Sequence, residues 1–362
     1  MNPQAHQLEF PWSTPPAPGS WHTIAPGLHW VRMPLPFALD HINLWVLDDE
    51  LDGVRGWTVV DCGVATAPTQ QAWRAIFATH FAGRPLLRVV ATHFHPDHLG
   101  LAHWLCAGGD DARWQAPLLA SAGEYATGRY LSQLTGAAGE QAGERAAAFF
   151  RAHGVSDEAG LAMLRARGGS HYASLVPAVP PSFHRLFPGG ALAIGPAGAR
   201  RVFHLIAGYG HSVEHLSLHC AEDRLLISGD MVLPRISTNV SVFDIDPEAD
   251  PLPLYLRSLD HYLMLAADTL VLPSHGLPFR GLHARVAQQH AHHAARLEEV
   301  RAACVEPRSA AQVVPVLFAR ALDMHQLGFA LGEAIAHLHA LWREGRLQRT
   351  RGADGVFRFQ AT

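Results

Sequence analysis

Residues 93–98 of this chain, His-Phe-His-Pro-Asp-His, contain three imidazoles and one carboxylate within six positions. The apolar run at residues 86–91 comes directly before them and predicts a short buried strand. The chain has to leave the sheet in a loop at this point, so the polar groups gather at one strand end. Imidazole and carboxylate are ligands of zinc, and they also suit iron and manganese. We therefore predict a metal site at the edge of a β-sheet.

Three later polar clusters have the same layout. Each contains a glycine and at least one histidine or aspartate, and each follows a short apolar run: residues 210–215, 228–230 and 273–276. Any one of them is explained equally well as a turn with a polar residue. Their succession behind residues 93–98 favours a different interpretation, in which several strands deliver side chains to one shared sheet edge.

The apolar pattern also predicts the fold class. Short β-favouring runs at residues 29–47 and 57–60 predict a pair of strands, and the acidic segment 48–53 predicts the turn between them. Residues 70–81 have apolar positions at helical spacing, and the strand at 86–91 follows. Strands that alternate with a helix favour an α/β sandwich.

We divide the chain into four segments. Residues 1–20 predict an extended lead-in, because several prolines oppose regular structure. Residues 21–281 predict the main domain, with a helical insert at about 121–194. Residues 282–304 predict a linking helix. In residues 305–362 two helix-like blocks precede a short hairpin, which is typical of a winged-helix module.

Composition limits the function classes. A formal net charge of −4 gives no global basic field, so extended nucleic-acid wrapping is not favoured. The first residues lack the pattern of a secretory signal, and no apolar run approaches the ~20 residues that cross a bilayer. We therefore expect a soluble cytoplasmic protein with no membrane partner. The four cysteines lie far apart and form no CxxC pair, so we expect free buried thiols.

The ordered motifs of this chain resemble those of the metallo-β-lactamase superfamily of hydrolases. The motifs are Asp-Cys-Gly at 61–63, HFHPDH at 93–98, GHSVEH at 210–215, Gly-Asp at 229–230 and His-Gly at 275–276. The resemblance covers residues 60–280. It implies an αββα sandwich of the metallo-β-lactamase type and two divalent metal ions, for which zinc is expected and iron or manganese are alternatives.

The resemblance also implies which residues would bind each ion. His93, His95 and His211 would bind the first ion, the second would be bound by Asp97, His98 and His275, and Asp230 would bridge the two. The chain departs from the β-lactam-degrading members of the superfamily at two positions. A histidine, His98, follows Asp97, and an aspartate stands at 230 where those members have a cysteine. These departures make the chain more similar to glyoxalase II, lactonase and nuclease relatives.

Two adjacent ions lower the pKa of a bridging water, so the expected nucleophile is hydroxide. A metal-bound carboxylate can guide this nucleophile or take its proton, which makes Asp97 and Asp230 the candidate catalytic residues. Asp61 is expected to fix the ligand loops by hydrogen bonds. For His215 two roles stay open: donation to the substrate, or orientation of the neighbouring loop.

The insert is expected to cover the metal edge and to shape a substrate pocket. Tyr130 and Tyr172 of the insert, and Asn239 shortly after Asp230, are candidate substrate-binding residues. Each has a plainer alternative: aromatic residues at such spacings commonly pack between helices, and Asn239 fits a solvated loop.

The leading functional hypothesis is hydrolysis of a small-molecule ester or thioester. The runner-up is an endoribonuclease, since the segment from 305 resembles the winged-helix extension of β-lactamase-like endoribonucleases. That segment contains several arginines that could meet phosphates: Arg343, Arg346, Arg349, Arg351 and Arg358. A third hypothesis is a metal-sensing regulator that binds DNA through this segment. The sequence makes no prediction of the oligomeric state.

Overall fold

Two β-sheets pack face to face in the computed structural model, which describes residues 5–168, 170–319, 322 and 324–362. The first sheet has seven strands, ordered β1 to β7 as in the chain. Its strands are β1 Trp21–Ala25, β2 Leu28–Pro34, β3 His41–Leu51, β4 Val54–Val60, β5 Leu86–Val90, β6 Leu118–Ala120 and β7 His184–Arg185. Strands β1 to β4 pair antiparallel, and β4 to β7 pair parallel.

The second sheet has five strands in the order β12-β11-β10-β9-β8. They are β8 Ala191–Ile194, β9 Arg201–Gly208, β10 His215–Cys220, β11 Leu225–Gly229 and β12 Leu270–Pro273. Strands β8 to β11 pair antiparallel, and β11 pairs parallel with β12. Trp30, Trp45 and Val60 of the first sheet form one buried cluster with Phe203 and Leu218 of the second, which places a core between the sheets.

Helices cover both outer faces. They are α1 Ala67–Thr79, α2 Pro96–Leu99, α3 Ala102–Cys106, α4 Ala122–Ser132, α5 Gly136–Ala152, α6 Glu158–Gly168, α7 His171–Leu175, α8 Pro251–Asp260, α9 Leu282–Ala303, α10 Ala310–Leu317 and α11 Met324–Arg343. Trp73 of α1 and Leu105 of α3 pack on the first sheet, whereas Tyr255 of α8 and Val286 of α9 pack on the second. The layers are therefore helix, sheet, sheet, helix, and the predicted αββα sandwich is confirmed.

Local sequence explains the first helix. Pro68 lies in its first turn, where the missing N–H breaks no helical hydrogen bond. Trp73, Ile76 and Phe77 repeat at helical spacing and are buried against the first sheet. The helix begins at Ala67, before the predicted start at residue 70, because the proline favours a helix start instead of delaying it.

The predicted acidic turn at residues 48–53 is wrong in its extent. Strand β3 continues through Leu51, and only Asp52 and Gly53 turn the chain into β4. Asp49 stays in the strand because its carboxylate is buried against the guanidinium of Arg88, with Asp49 Oδ2 2.5 Å from Arg88 Nη2. A buried ion pair thus places an acidic residue inside a strand, where composition predicts a turn.

The segment predicted as a helical insert, about 121–194, contains α4 to α7. Its last residues differ from the prediction, since they form β7 and β8, which complete the edges of the two sheets. The predicted extended lead-in also differs, because residues Ala5–Gln7 form a short 3-10 helix and Leu8 is buried in the core. Residues 1–4 lie outside the described residues.

The C-terminal part continues the outer helical layer. The long helix α9 leads into α10, α11 and the hairpin of β13 Leu347–Arg351 and β14 Phe357–Ala361. Phe359 of the hairpin and Leu338 of α11 belong to the same buried cluster as Leu226 and Val271 of the second sheet. The C-terminal region therefore shares a core with the sandwich.

Two predictions from composition can be compared with the structure. All four cysteines are buried and unpaired, as predicted. Among the helices of the described residues, none combines the length and the apolar character that crossing a membrane requires.

Candidate metal centre

The ligand candidates lie at one edge of the sandwich. His93 and His95 follow β5, and His211 lies in the loop from β9 to β10. Asp230 follows β11 directly, and His275 is the second residue after β12. Because β4 and β5 are parallel, as are β11 and β12, their carboxyl ends meet at the same edge. The predicted convergence of strand ends is what the sheet topology produces.

The first group of ligand candidates contains three imidazoles. His93 Nε2 lies 2.9 Å from His95 Nδ1 and 3.2 Å from His211 Nε2. One nitrogen of each ring lies within 4.8 Å of the others. Burial and the neighbouring histidines hold the pKa of His93 well below its usual value, and burial lowers the pKa of His95 to about 3. Neutral imidazoles with free lone pairs are the form that binds a metal ion.

The second group contains Asp97, His98 and His275. Asp97 Oδ2 lies 3.6 Å from His98 Nε2 and 3.4 Å from His275 Nε2. Asp230 lies between the two groups: its Oδ1 is 3.4 Å from both His98 Nε2 and His275 Nε2, and its Oδ2 is 3.5 Å from His211 Nε2. The structure brings all seven predicted ligand residues together.

The donor set fits divalent metal ions. His98 Nε2 and Asp230 Oδ1 are buried, and within the described part of the chain neither atom has a hydrogen-bond partner. Unpartnered buried polar atoms are costly, and a cation held between nitrogen and oxygen donors would satisfy both. The seven side chains form two groups of candidate ligands, and the carboxylate of Asp230 lies between them.

Asp61 contacts His98 of the second group and the backbone of Thr92, next to His93. Its carboxylate accepts hydrogen bonds from the backbone N–H of Thr92 at 2.8 Å and from His98 Nδ1 at 2.8 Å. The residue has a φ of 65°, in the left-handed region. The short polar side chain of aspartate tolerates this region better than most. Asp61 therefore orients His98 so that Nε2 points at the metal centre.

His215 is buried at the start of β10 and contacts the backbone of the bridging residue. Its Nε2 accepts the N–H of Asp230 at 3.2 Å. Between the two roles left open by the sequence, this contact favours the orientation of the Asp230 loop, since the ring is fully buried.

His41, which belongs to none of the sequence motifs, holds His275 in place. His275 Nδ1 donates to the carbonyl oxygen of His41 at 2.8 Å, and the N–H of Gly276 donates to His41 Nε2 at 2.9 Å. No local signal identifies this role, because His41 begins an apolar strand 234 residues before His275.

Glu124 at the start of α4 also belongs to none of the sequence motifs. Its buried carboxylate accepts hydrogen bonds from the N–H of Phe94 at 2.8 Å, from Ser212 Oγ at 2.6 Å and from the N–H of Glu214 at 2.6 Å. It therefore joins the loop of residues 93–98 to the loop that carries His211. The spacing from Ser121 to Glu124 is that of a helix capping box, and this pattern masks the role.

The predicted substrate-binding residues have other contacts. The hydroxyl of Tyr172 donates to the carbonyl oxygen of Phe94, which supports the loop of residues 93–98 from behind. Tyr130 lies on α4 with 48% of its surface exposed, so it is not part of the buried ligand cluster. The backbone carbonyl of Asn239 accepts the Nδ1 proton of His211 at 2.7 Å. These contacts give Tyr172 and Asn239 supporting positions.

The arginines of the C-terminal region are occupied by partners within the chain. Arg349 binds both carboxylate oxygens of Glu248, at 2.9 and 3.1 Å. The other four contact carboxylates or carbonyl oxygens too: Arg343 with Glu248, Arg346 with Glu298 and Glu344, Arg351 with Gly355, and Arg358 with Asp354. The positive charge that the sequence offers for phosphate binding is therefore largely offset.

Comparison with known families gives two matches. The model of the metallo-beta-lactamase superfamily matches residues 39–275. A second model, described as metallo-beta-lactamase-like, C-terminal domain, matches residues 297–362. No curated protein matches the chain.

Solved structures also resemble it. A beta-lactamase domain protein from Burkholderia ambifaria is 54% identical, with 99% of each chain covered and a TM-score of 0.92. A metallo-beta-lactamase family protein from Thermus thermophilus is 26% identical, with 94% of this chain and 100% of that chain covered and a TM-score of 0.76. An inverting sec-alkylsulfatase from Pseudomonas sp. is 16% identical, with 90% of this chain and 50% of that chain covered, and its TM-score of 0.52 shows a shared fold alone.

Proposed function

Because the chain belongs to the metallo-β-lactamase superfamily, we propose that it is a dinuclear metal-dependent hydrolase of a small-molecule ester or thioester. One observation carries the dinuclear part of the proposal. The two oxygens of Asp230 face different groups of ligand candidates, Oδ2 towards His211 and Oδ1 towards His98 and His275. A carboxylate in this position is suited to bridge two ions.

Two divalent ions held by these residues, for which we propose Zn²⁺, would supply a hydroxide nucleophile near neutral pH and polarise the scissile carbonyl group. Asp97 and Asp230 offset part of the cationic charge. Asp97 is the more exposed of the two, with 17% of its side chain accessible against 11% for Asp230. We therefore assign to Asp97 the uptake of the proton that water loses when it becomes hydroxide, and to Asp230 the placement of the two ligand groups.

The electrostatics favour a small substrate over a polynucleotide. Binding of a nucleic-acid backbone requires several lysines or arginines that are free to neutralise phosphates. The five C-terminal arginines instead contact acidic side chains or carbonyl oxygens of this chain. An aspartate at 230, where β-lactam-degrading relatives have cysteine, supports ester or thioester hydrolysis over β-lactam hydrolysis in this proposal.

A substrate panel with parallel metal analysis tests the proposal. We expect about two ions per wild-type chain, turnover of at least one thioester, lactone or activated ester, and loss of turnover in His95→Ala. The matched control is His103→Ala, which removes an exposed imidazole on α3. Intact esters together with cleaved phosphodiesters would refute the proposed substrate class, and a His95→Ala variant with unchanged metal content would refute the metal assignment.

The alternative is a β-lactamase-like endoribonuclease, motivated by the resemblance of residues 305–362 to the winged-helix extension of those enzymes and by the arginines of this segment. It predicts RNA binding that weakens as salt rises and as C-terminal arginines are removed. RNA binding by wild type that falls in Arg351→Ala and Arg358→Ala would support it. Absence of RNA cleavage by the metal-loaded enzyme would refute it.

A further inference from the structure

We propose that Glu333 on α11 and Arg285 on α9 are positioning residues for the metal centre, although both lie outside the main domain match at residues 39–275. They hold the loop of residues 230–242, which begins with the bridging Asp230 and includes the backbone group that orients His211. The inference rests on the proposed metal centre, and its test measures metal affinity separately from turnover.

Asn239 connects the metal centre to α11. Its carbonyl oxygen accepts the Nδ1 proton of His211 at 2.7 Å, which leaves Nε2 of that ring free to bind a metal. Its side-chain amide donates to Glu333 Oε2 at 3.4 Å, and its Oδ1 accepts the hydroxyl of Ser241 at 2.8 Å. A path of contacts therefore runs from a ligand imidazole, through one loop residue, to a carboxylate of the C-terminal region.

The rest of the loop also lies on α11. The N–H of Val242 donates to the carbonyl oxygen of Gly332 at 3.1 Å. Ser241 Oγ, which donates its proton to Asn239, also lies 3.4 Å from the carbonyl oxygen of Phe329. A Cβ at position 332 would lie 2.7 Å from the Cβ of Ser241, which is closer than carbon atoms approach without displacement. Glycine at 332 thus allows the helix and the loop to touch.

Arg285 holds the first half of the loop. The residue is 3% exposed, and its guanidinium donates to the carbonyl oxygens of Leu233 at 2.6 Å and Ile236 at 2.7 Å. Inside the same loop, the hydroxyl of Thr238 donates to the carbonyl oxygen of Asp230 at 2.5 Å. A buried guanidinium is costly unless its donors are satisfied, so these carbonyls and Arg285 fix each other's positions.

The consequence concerns the role of the C-terminal region. A loop between β11 and α8 has no regular structure of its own to fix its path, and here two helices from beyond residue 281 supply the contacts. The C-terminal region, which resembles a separate winged-helix module, therefore helps to fix the positions of Asp230 and His211.

A double-mutant cycle on Glu333 and Asn239 tests the inference. The two Zn²⁺ affinities of the chain are measured by competition with a chromophoric chelator, and the visible spectrum of the Co²⁺-loaded protein reports ligand geometry. We expect Glu333→Ala and Asn239→Ala each to weaken one Zn²⁺ site about 10-fold or more, the typical effect of losing a partner behind a ligand. Because both remove the same contact, the double variant should resemble the single variants.

Three further variants complete the test. Glu333→Gln keeps an acceptor for Asn239 and should restore most of the affinity, whereas Glu298→Ala removes an exposed carboxylate on α9 and should change nothing. Arg285→Lys, checked for folding by urea unfolding, should shift the Co²⁺ spectrum. Folded Glu333→Ala with wild-type affinities and spectrum, or additive effects in the double variant, would overturn the inference. Weakened Zn²⁺ binding in a protein that hydrolyses no ester would support it and refute only the proposed substrate class.

Discussion

Replacing Asp61 with asparagine keeps the shape of the side chain and removes its negative charge. In the native protein Asp61 accepts from Thr92 N–H and from His98 Nδ1, both at 2.8 Å. An amide that keeps its oxygen towards Thr92 presents its NH₂ group to His98. The ring proton of His98 then moves to Nε2, the atom that faces Asp97 and Asp230. A protonated Nε2 has no lone pair for a metal ion.

The size of the effect follows from the lost contact. A hydrogen bond to a charged partner contributes about 1.5–3 kcal/mol. Since each 1.4 kcal/mol is a factor of ten in Kd, the ion bound by Asp97, His98 and His275 should bind about 10- to 150-fold more weakly. The group of His93, His95 and His211 does not contact Asp61 directly, so the affinity of the first ion should stay close to that of wild type.

The assay is sequential Zn²⁺ binding, measured by chelator competition near neutral pH on Asp61→Asn and on a matched control. The control is Asp110→Asn, which removes an equivalent charge from an exposed ion pair with Arg74. We expect one weakened site in the first variant and two native affinities in the control. Two native affinities in a folded Asp61→Asn variant would refute the tautomer argument, and equal weakening of both sites would refute the assignment of His98 to the second ion.

Three further predictions concern stability. Glu124→Ala leaves three half-buried donors without their acceptor, so the free energy of unfolding in urea should fall by about 2–4 kcal/mol; a change near zero would contradict the assigned contacts. Burial lowers the pKa of His153 to about 4, below its unfolded value of 6.5. The free energy of unfolding should therefore decrease as the pH falls from about 6.5 to about 4, because the unfolded state binds the proton first. In urea titrations at several pH values, His153→Phe should reduce the pH dependence of the free energy of unfolding by up to about 1.4 kcal/mol per pH unit. An unchanged pH dependence would contradict the lowered pKa of His153. Removal of bound metal by a chelator should lower Tm. Adding metal back at about 100 times its Kd should raise the free energy of unfolding by about 2.7 kcal/mol per site. Equal Tm values with and without metal would argue against the metal site.

The sequence places candidate ligands behind short apolar strands, and the family resemblance implies which of them would bind each ion. His93, Asp230 and His275 come within three residues of a strand end, and strands of one sheet edge converge by topology. The αββα layers followed from the same runs and from the family resemblance. Local pattern is sufficient where a side chain's position depends on the strand that precedes it.

Local pattern fails where a contact joins distant segments. His41 begins a strand of the first sheet and contacts His275, which follows a strand of the second, and Glu333 contacts Asn239 across 94 residues of chain. Asp49 remains in a strand because Arg88 neutralises its charge, whereas composition alone predicts a turn at this position. In each case the local sequence predicts only the surroundings of the residue, such as a strand start or an acidic turn. The role of the residue depends on a partner that the tertiary fold brings next to it.

The contacts of α11 change how the role of the C-terminal region can be tested. Deletion of residues 305–362 separates nucleic-acid binding from hydrolysis only if that region is an independent module. Since Glu333 and Gly332 contact the loop between Asp230 and Val242, the deletion would remove support from the metal centre as well. A loss of RNA cleavage after deletion would then follow from either cause. Substitution of Arg351 or Arg358, which lie in the hairpin and bond to acceptors of their own segment, alters charge and leaves α11 in place.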